Sequence, residues 1–280
     1  MKKIKILTFL LAICVCLPGC SSKDDSREKQ QALKQEGMQL QLSGDYAGAI
    51  GKYEKALKLA DMKVGAPEID LAYYKASAQY QSGDLSGAID TYTSIIDLKD
   101  TGEARLGRGI LYVKAKEAEK AGEDLTKALK KNDSSMMKGM VHQVAGDTDK
   151  AKEYFEKAKQ EGDPDAVFFL ANLYEKAGDY NYAMILLEEY IAGGKAGAEG
   201  YLSVARHYFD NGAYEDALAA VQSGIALGNS GVFKELLQEE IICYERLGDF
   251  AGAKAKAEAY LETYPDEEAM AKEYEFLRSR

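Results

Sequence analysis

The sequence predicts an all-α protein, an elongated α-solenoid of about seven helical hairpins closed by a C-terminal capping helix. Three observations carry that prediction. Glycines follow apolar-periodic stretches at Gly44, Gly83, Gly146, Gly178, Gly212 and Gly248, with Lys116 in the remaining slot, so successive markers stand 39, 33, 30, 32, 34 and 36 residues apart. Twelve to thirteen residues of helical pattern flank each marker on both sides. The 280-residue chain also holds only four prolines, near the edges of these segments, so the helices run without interruption.

The N-terminus reads as an address. Lys2, Lys3 and Lys5 precede an apolar run over residues 6–17. Twelve residues do not span a hydrocarbon core, which takes about 20, and the pattern is that of a secretory signal peptide. The run ends in Leu17-Pro18-Gly19-Cys20-Ser21, with Leu three places before a Cys and a small residue just before it. This ending resembles the lipobox of bacterial lipoproteins, although Pro18 is uncommon at its place. The resemblance implies cleavage before Cys20, removal of residues 1–19 as signal peptide, and acylation of Cys20 with two or three chains, palmitate among them, enough for stable anchoring. It places the mature chain on the extracytoplasmic face of the cell membrane. Residues 20–28, the lipidated Cys and a polar stretch, read as a flexible tether. Cys14 and Cys16 leave with the signal. Only Cys243 remains in the body, too few for a disulfide framework, and it reads as a small buried hydrophobe.

Residues 29–264 form the solenoid, and its units agree in register. Asp45, Asp84, Asp147, Asp179 and Asp249 directly follow their marker glycines. Gly in the left-handed conformation ends one helix, and Asp accepts the free N–H groups that open the next. Five places after each marker stands an alanine: Ala49, Ala88, Ala121, Ala151, Ala183, Ala217 and Ala253. Seven places before it come Gly37, Ala76, Gly109, Gly139, Ala171 and Ala205, with Ile241 the exception. These small residues let paired helices approach. Nine places after the marker lies a filler: Tyr53, Tyr92, Leu125, Phe155, Leu187, Val221 and Ala257. Four before it, Tyr112, Tyr174, Tyr208 and Tyr244 recur, with Leu40, Gln79 and His142 in the other units.

In this succession of small residue, aromatic, Gly, Ala and filler the chain resembles the tetratricopeptide repeat, over seven units from about residue 28 to 264. Segments such as KQEGMQLQLSGDYAGAIGKYEKAL and LANLYEKAGDYNYA are good copies, and Pro265 stands at the family's terminal proline position. Lys116, Gln79, His142 and a loose sixth unit around Gly224 depart from the pattern. The resemblance implies a right-handed superhelix whose first helices line a concave, peptide-binding groove. Carried onto this sequence, the groove positions are Tyr73, Ser77 and Tyr80; Leu106, Ile110 and Val113; Met136, Met140 and Gln143; Phe168, Asn172 and Glu175; and Leu202, Arg206 and Phe209. The Lys/Asn clamp with which some members grip a C-terminal carboxylate is absent, which leaves Asn172 and Arg206 to meet a polar end. Glu235, Gln238 and Glu245 make the last unit acidic.

Residues 265–280 begin acidic and end basic, as the helix dipole favours, and read as a capping helix with Asp266 at its N-cap, covering the last apolar face. The net charge is −10, and −13 beyond residue 20, where 33 basic residues face 46 acidic ones. Such a chain does not attract nucleic acid. His142 and His207 are the only histidines, and no metal, nucleophile or phosphate-loop motif is present. The sequence therefore reads as a non-enzyme without cofactor or metal, a lipid-anchored scaffold whose partners are peptide segments of envelope or secreted proteins. The alternatives are a structural subunit of an envelope assembly or secretion complex and, more remotely, an envelope hydrolase.

Overall fold

A computed structural model describes residues 22–60, 65–228 and 231–280, with side chains from Ser26 onward. The signal peptide and Cys20 lie outside the described residues. Fifteen helices follow one another, and among the described residues there is no strand. The hairpins are α1 (Ser22–Leu42) with α2 (Tyr46–Lys58), α3 (Ala66–Gln81) with α4 (Leu85–Leu98), α5 (Gly102–Lys114) with α6 (Ala118–Lys131), and α7 (Ser135–Val144) with α8 (Thr148–Gln160). They continue with α9 (Asp165–Lys176) and α10 (Tyr180–Ala192), α11 (Ala198–Asp210) and α12 (Tyr214–Ala226), and α13 (Phe233–Arg246) and α14 (Phe250–Thr263). The last helix is α15 (Glu268–Arg278).

The turn chemistry follows the expected code. All six marker glycines take positive φ, between 76° and 86°, and Lys116 is forced into the same region at 60°. In every turn but the first, the N–H after the marker donates to the carbonyl four places before it, as in Asp84 to Gln79 at 2.8 Å and Glu117 to Tyr112 at 2.9 Å. All five aspartates cap the helix that follows: Asp45, Asp84 and Asp249 accept from Gly48, Gly87 and Gly252 at 2.8 Å, and Asp147 and Asp179 accept from Lys150 and Tyr182 at 3.3 Å. Where the sequence has Glu117 or Ala213 instead, there is no side-chain cap.

Packing explains the register. The seven alanines are all at most 3% exposed. The small residue and the filler of one hairpin meet face to face: a Cβ on Gly37 would stand 2.5 Å from the Tyr53 ring, and one on Gly139 would stand 2.4 Å from that of Phe155. In the seventh hairpin both members are inverted, bulky Ile241 facing small Ala257 in one buried cluster, so the pair volume is kept. The loose sixth unit has its reason too, because Gly224 leaves room for Leu236 of α13, 3.0 Å from a would-be Cβ.

Two boundaries differ from expectation. Helix α1 begins at Ser22, so most of the residues read as tether are already helical. Buried Glu68 at the start of α3 draws them in: it accepts from Arg27 at 3.0 Å and Gln30 at 3.1 Å, and Gln30 also donates to the Ala56 carbonyl at 3.2 Å. Helix α15 is preceded by Glu267, not Asp266, at its N-cap, without a side-chain bond. It does cover the end of the stack: Met270 and Leu277 bury against Ile241, Tyr260 and Tyr264.

Curvature brings distant parts together. Directly touching first helices (α1 with α3, α5 with α7, α11 with α13) have no equally close counterpart among the second helices described, so the odd-numbered helices lie inside the curve. The curve returns far enough that residues of α1, α2 and α3 face Lys234 and Glu235 of α13 across one cleft of about 240 Å³.

Candidate interaction surface

The inner face is carried by the odd-numbered helices, held apart by the fillers and together by the alanines. Burial varies along the groove triplets, most sharply in the second and fifth. Leu106 and Leu202 are 7% and 5% exposed and belong to the core, Leu106 against Leu125 and Met137, Leu202 within the central cluster. Tyr73 packs edge-on against Tyr92, with ring centroids 5.7 Å apart. Met136 and Phe168 pack on the same central cluster, Phe168 stacking on Tyr190 at 5.4 Å. Leu106 and Leu202 are therefore core residues, while Tyr73, Met136 and Phe168 keep part of their surface.

Of the later members, Ser77, Tyr80, Ile110, Val113 and Arg206 are exposed, whereas Met140 and Phe209 also pack on the core clusters. Tyr80, Ile110 and Val113 are 45%, 37% and 43% exposed. Met140 and Asn172 are half-buried. Phe209 lies under the Arg246 guanidinium, 5.6 Å from its ring centre. Arg206, read as a catch for a polar end, is bonded to Glu239 at 3.0 Å. The inner face thus has an apolar centre between polar ends. At the N-terminal end a chain of hydrogen bonds that the sequence reading missed runs from the Tyr53 hydroxyl to Gln41 (2.9 Å), and from the Gln41 amide to Ser77 (3.2 Å) and Gln81 (2.5 Å). Ser77 and Gln81, one turn apart on α3, both lie within reach of Gln41 on α1.

The departures from the repeat pattern find local partners. Gln79 is buried where other units have Tyr, and accepts from Thr91 at 2.7 Å. His142 stacks on Tyr154 at 5.3 Å with its Nδ1 3.6 Å from Asp147. In the third hairpin Asp124, 2% exposed, accepts from Arg108 at 2.7 Å and Arg105 at 2.9 Å. Burial works against its ionisation, but the Arg108 and Arg105 bonds outweigh it and hold the carboxyl below its usual range. Asp100 goes down to about 2, chiefly through its bond from Arg105. These groups satisfy one another and tie α5 to α6.

Chemistry elsewhere is sparse. Cys243 is buried, and burial followed by the charges of Glu239 and Glu240 pushes its thiol up to about 11, away from the reactive thiolate. Among the described residues, no three His, Cys, Asp or Glu side chains gather as a metal site, and no helix is long and apolar enough to cross a membrane.

A tetratricopeptide repeat family model matches residues 36–103, 75–135 and 136–199, and a second model of the same description matches 242–267. No curated protein matches the sequence. Among solved structures, yeast Tom70 is 15% identical with a TM-score of 0.65, over 92% of this chain and 55% of that one. A chain of the APC/C hetero-tetramer Cut9–Hcn1 is 13% identical with a TM-score of 0.51, over 92% and 60%. PilW, a widely conserved type IV pilus biogenesis factor, is 17% identical with a TM-score of 0.51, over 73% of this chain and 97% of that one. The chain thus spans little more than half the length of Tom70, and identities this low speak to the fold alone. With one family model covering more than half its residues and its hairpins stacked in the same register, the chain belongs to the tetratricopeptide repeat family.

Proposed function

We propose that the chain is a protein-interaction scaffold, held on the extracytoplasmic face of the cell membrane through acylated Cys20, whose inner face captures a segment of another envelope or secreted protein. The exposed apolar centre formed by Tyr80, Ile110 and Val113 carries this reading. Large apolar side chains left uncovered on a preformed concave surface mark an interaction site, and a segment laid along them buries area at about 25 cal/mol per Å² before association costs. The polar ends, with Gln81 on one side and the Arg206–Glu239 pair on the other, suit the flanking backbone and side chains of such a segment. The anchor rests on the sequence around Cys20.

The test places a photo-crosslinker in cells at Val113 and, separately, at Ile185 on the far side of the stack. Capture of a defined partner from Val113, lost when Tyr80 and Ile110 are replaced by Asp in a chain that still melts cooperatively, supports the scaffold. Recovery of the Cys20→Ala form in the soluble fraction supports the anchor. One observation favours the alternative of a structural subunit in an envelope assembly or secretion complex. Helix α10 is apolar on its outer side as well, with Tyr180 and Ile185 59% and 58% exposed. Crosslinks from Ile185 alone would assign the work to that face.

A further inference from the structure

Basic side chains of this molecule repeatedly settle on an aromatic ring beside a carboxylate. Lys34 stands 4.6 Å from the centre of the Tyr74 ring and is paired with Asp70 at 2.5 Å. Lys234 stands 5.3 Å from the centre of the Tyr264 ring and is paired with Glu267. Arg246 covers Phe209. The cleft between the first hairpins and α13 holds the same two ingredients without the third. Tyr46 at the start of α2 and Glu235 in the first turn of α13 both line it. Among the described residues no cation stands over Tyr46 and no basic group pairs with Glu235, because the adjacent Lys234 is engaged by Glu267. Met38, Leu42 and Tyr74 give the cleft apolar lining, beside the polar Gln41, Ser77 and Gln81 and the engaged Lys234. The Tyr264 hydroxyl is buried without a hydrogen-bond partner. Burial raises its pKa, and Glu235 and Tyr46 add to that rise, so this unsatisfied group lies within electrostatic reach of the cleft.

The volume selects the size of the occupant. About 240 Å³ is below the range of drug-sized ligand sites and accommodates one long side chain. Long basic side chains have an apolar stem and a cationic head, which matches the apolar part of the lining together with the unpaired Glu235 carboxylate. The Tyr46 ring, which lines the same cleft, offers cation–π attraction to such a head.

We infer that this cleft is a subsite for one Arg or Lys side chain of a bound polypeptide, so that a single residue of the partner bridges the first and seventh hairpins. The inference rests on the reading of the inner face as a peptide surface and adds the charge of one ligand residue.

The test titrates the full chain, carrying ¹³C-labelled tyrosines, with the capped tripeptide Ac-Ala-Arg-Ala-NH₂ and with its neutral citrulline counterpart. The expected result is saturable movement of the Tyr46 and Tyr74 ring signals by the arginine peptide and binding about tenfold weaker for citrulline. Glu235→Gln is expected to weaken the arginine peptide about five- to tenfold, whereas Glu262→Gln, an exposed carboxylate elsewhere, leaves it unchanged. Equal affinity for both peptides would show an apolar subsite only. Equal effects of the two glutamine variants would show general attraction to an acidic protein. Ring shifts that depend on protein concentration without peptide would show a second copy in the cleft. Each of these overturns the inference. The tripeptide reads the cleft alone, so failure here leaves the Val113 crosslinking result standing, and failure there leaves this titration intact.

Discussion

Lys116 occupies a backbone conformation, φ 60°, that the other six marked turns assign to glycine. A side chain in the left-handed region costs about 1–2 kcal/mol. Lys116→Gly is therefore expected to stabilise the protein by about 1 kcal/mol and to raise the melting temperature by about 2–4 °C, read by thermal unfolding. The Ile241–Ala257 inversion makes a second prediction at the same scale. Ile241→Ala alone opens a cavity in a buried cluster and is expected to cost about 2–5 kcal/mol. Adding Ala257→Ile returns the volume to the other helix, as Gly37 with Tyr53 already does. The double variant should recover at least about 1 kcal/mol in urea unfolding, and simple additivity of the two substitutions would contradict the pairing.

At the scale of elements, the seam between α13 and α15 contains a carboxyl pair. Burial first, then the charge of Glu273 and a hydrogen bond shared with it, raise the Glu245 carboxyl to about 7, against the pull of Arg246. One Glu245 oxygen is buried with no partner. A folded value above the unfolded one means that the stability linked to this group is fully present below about 4.5 and is lost as pH rises through about 7. Glu245→Gln removes the ionisation. The variant should melt about 2–4 °C above the parent at about pH 8 and show no such gain at about pH 5, measured by paired thermal scans. A gain of equal size at both values would show that repulsion between Glu245 and Glu273 is not its source.

For the whole molecule, stacking decides stability, since each hairpin leaves an apolar face for the next. Helix α15 closes the last of these faces, burying Met270 and Leu277 on Ile241, Tyr260 and Tyr264. Deleting residues 267–280 is expected to lower the melting temperature by more than about 4 °C and to raise binding of an apolar-surface dye. An unchanged melt would mean that α15 only decorates the end. The curvature that returns α13 to the first hairpins is a property of the stack as a whole, a small rotation repeated at six junctions between seven hairpins.

The sequence alone determined the hairpins, their turns and their register, because those depend on short-range chemistry. A glycine that accepts positive φ, an aspartate within reach of three N–H groups and an alanine at each helix crossing act within one unit and repeat with it. Gln79 with Thr91 and Ile241 with Ala257 show that even the departures are answered within the same hairpin. Tertiary structure decided which residues remain on the surface and what meets across the curve. Leu106 and Leu202 hold the same kind of register position as Ile110 and Val113, yet nesting of neighbouring hairpins covers the first two and leaves the last two open. Arg27 and Gln30 meet Glu68 from 41 and 38 residues away, and Tyr46 shares a cleft with Glu235. Those juxtapositions come from angles between successive hairpins, which sum small side-chain volumes over many interfaces and leave no mark at any single position.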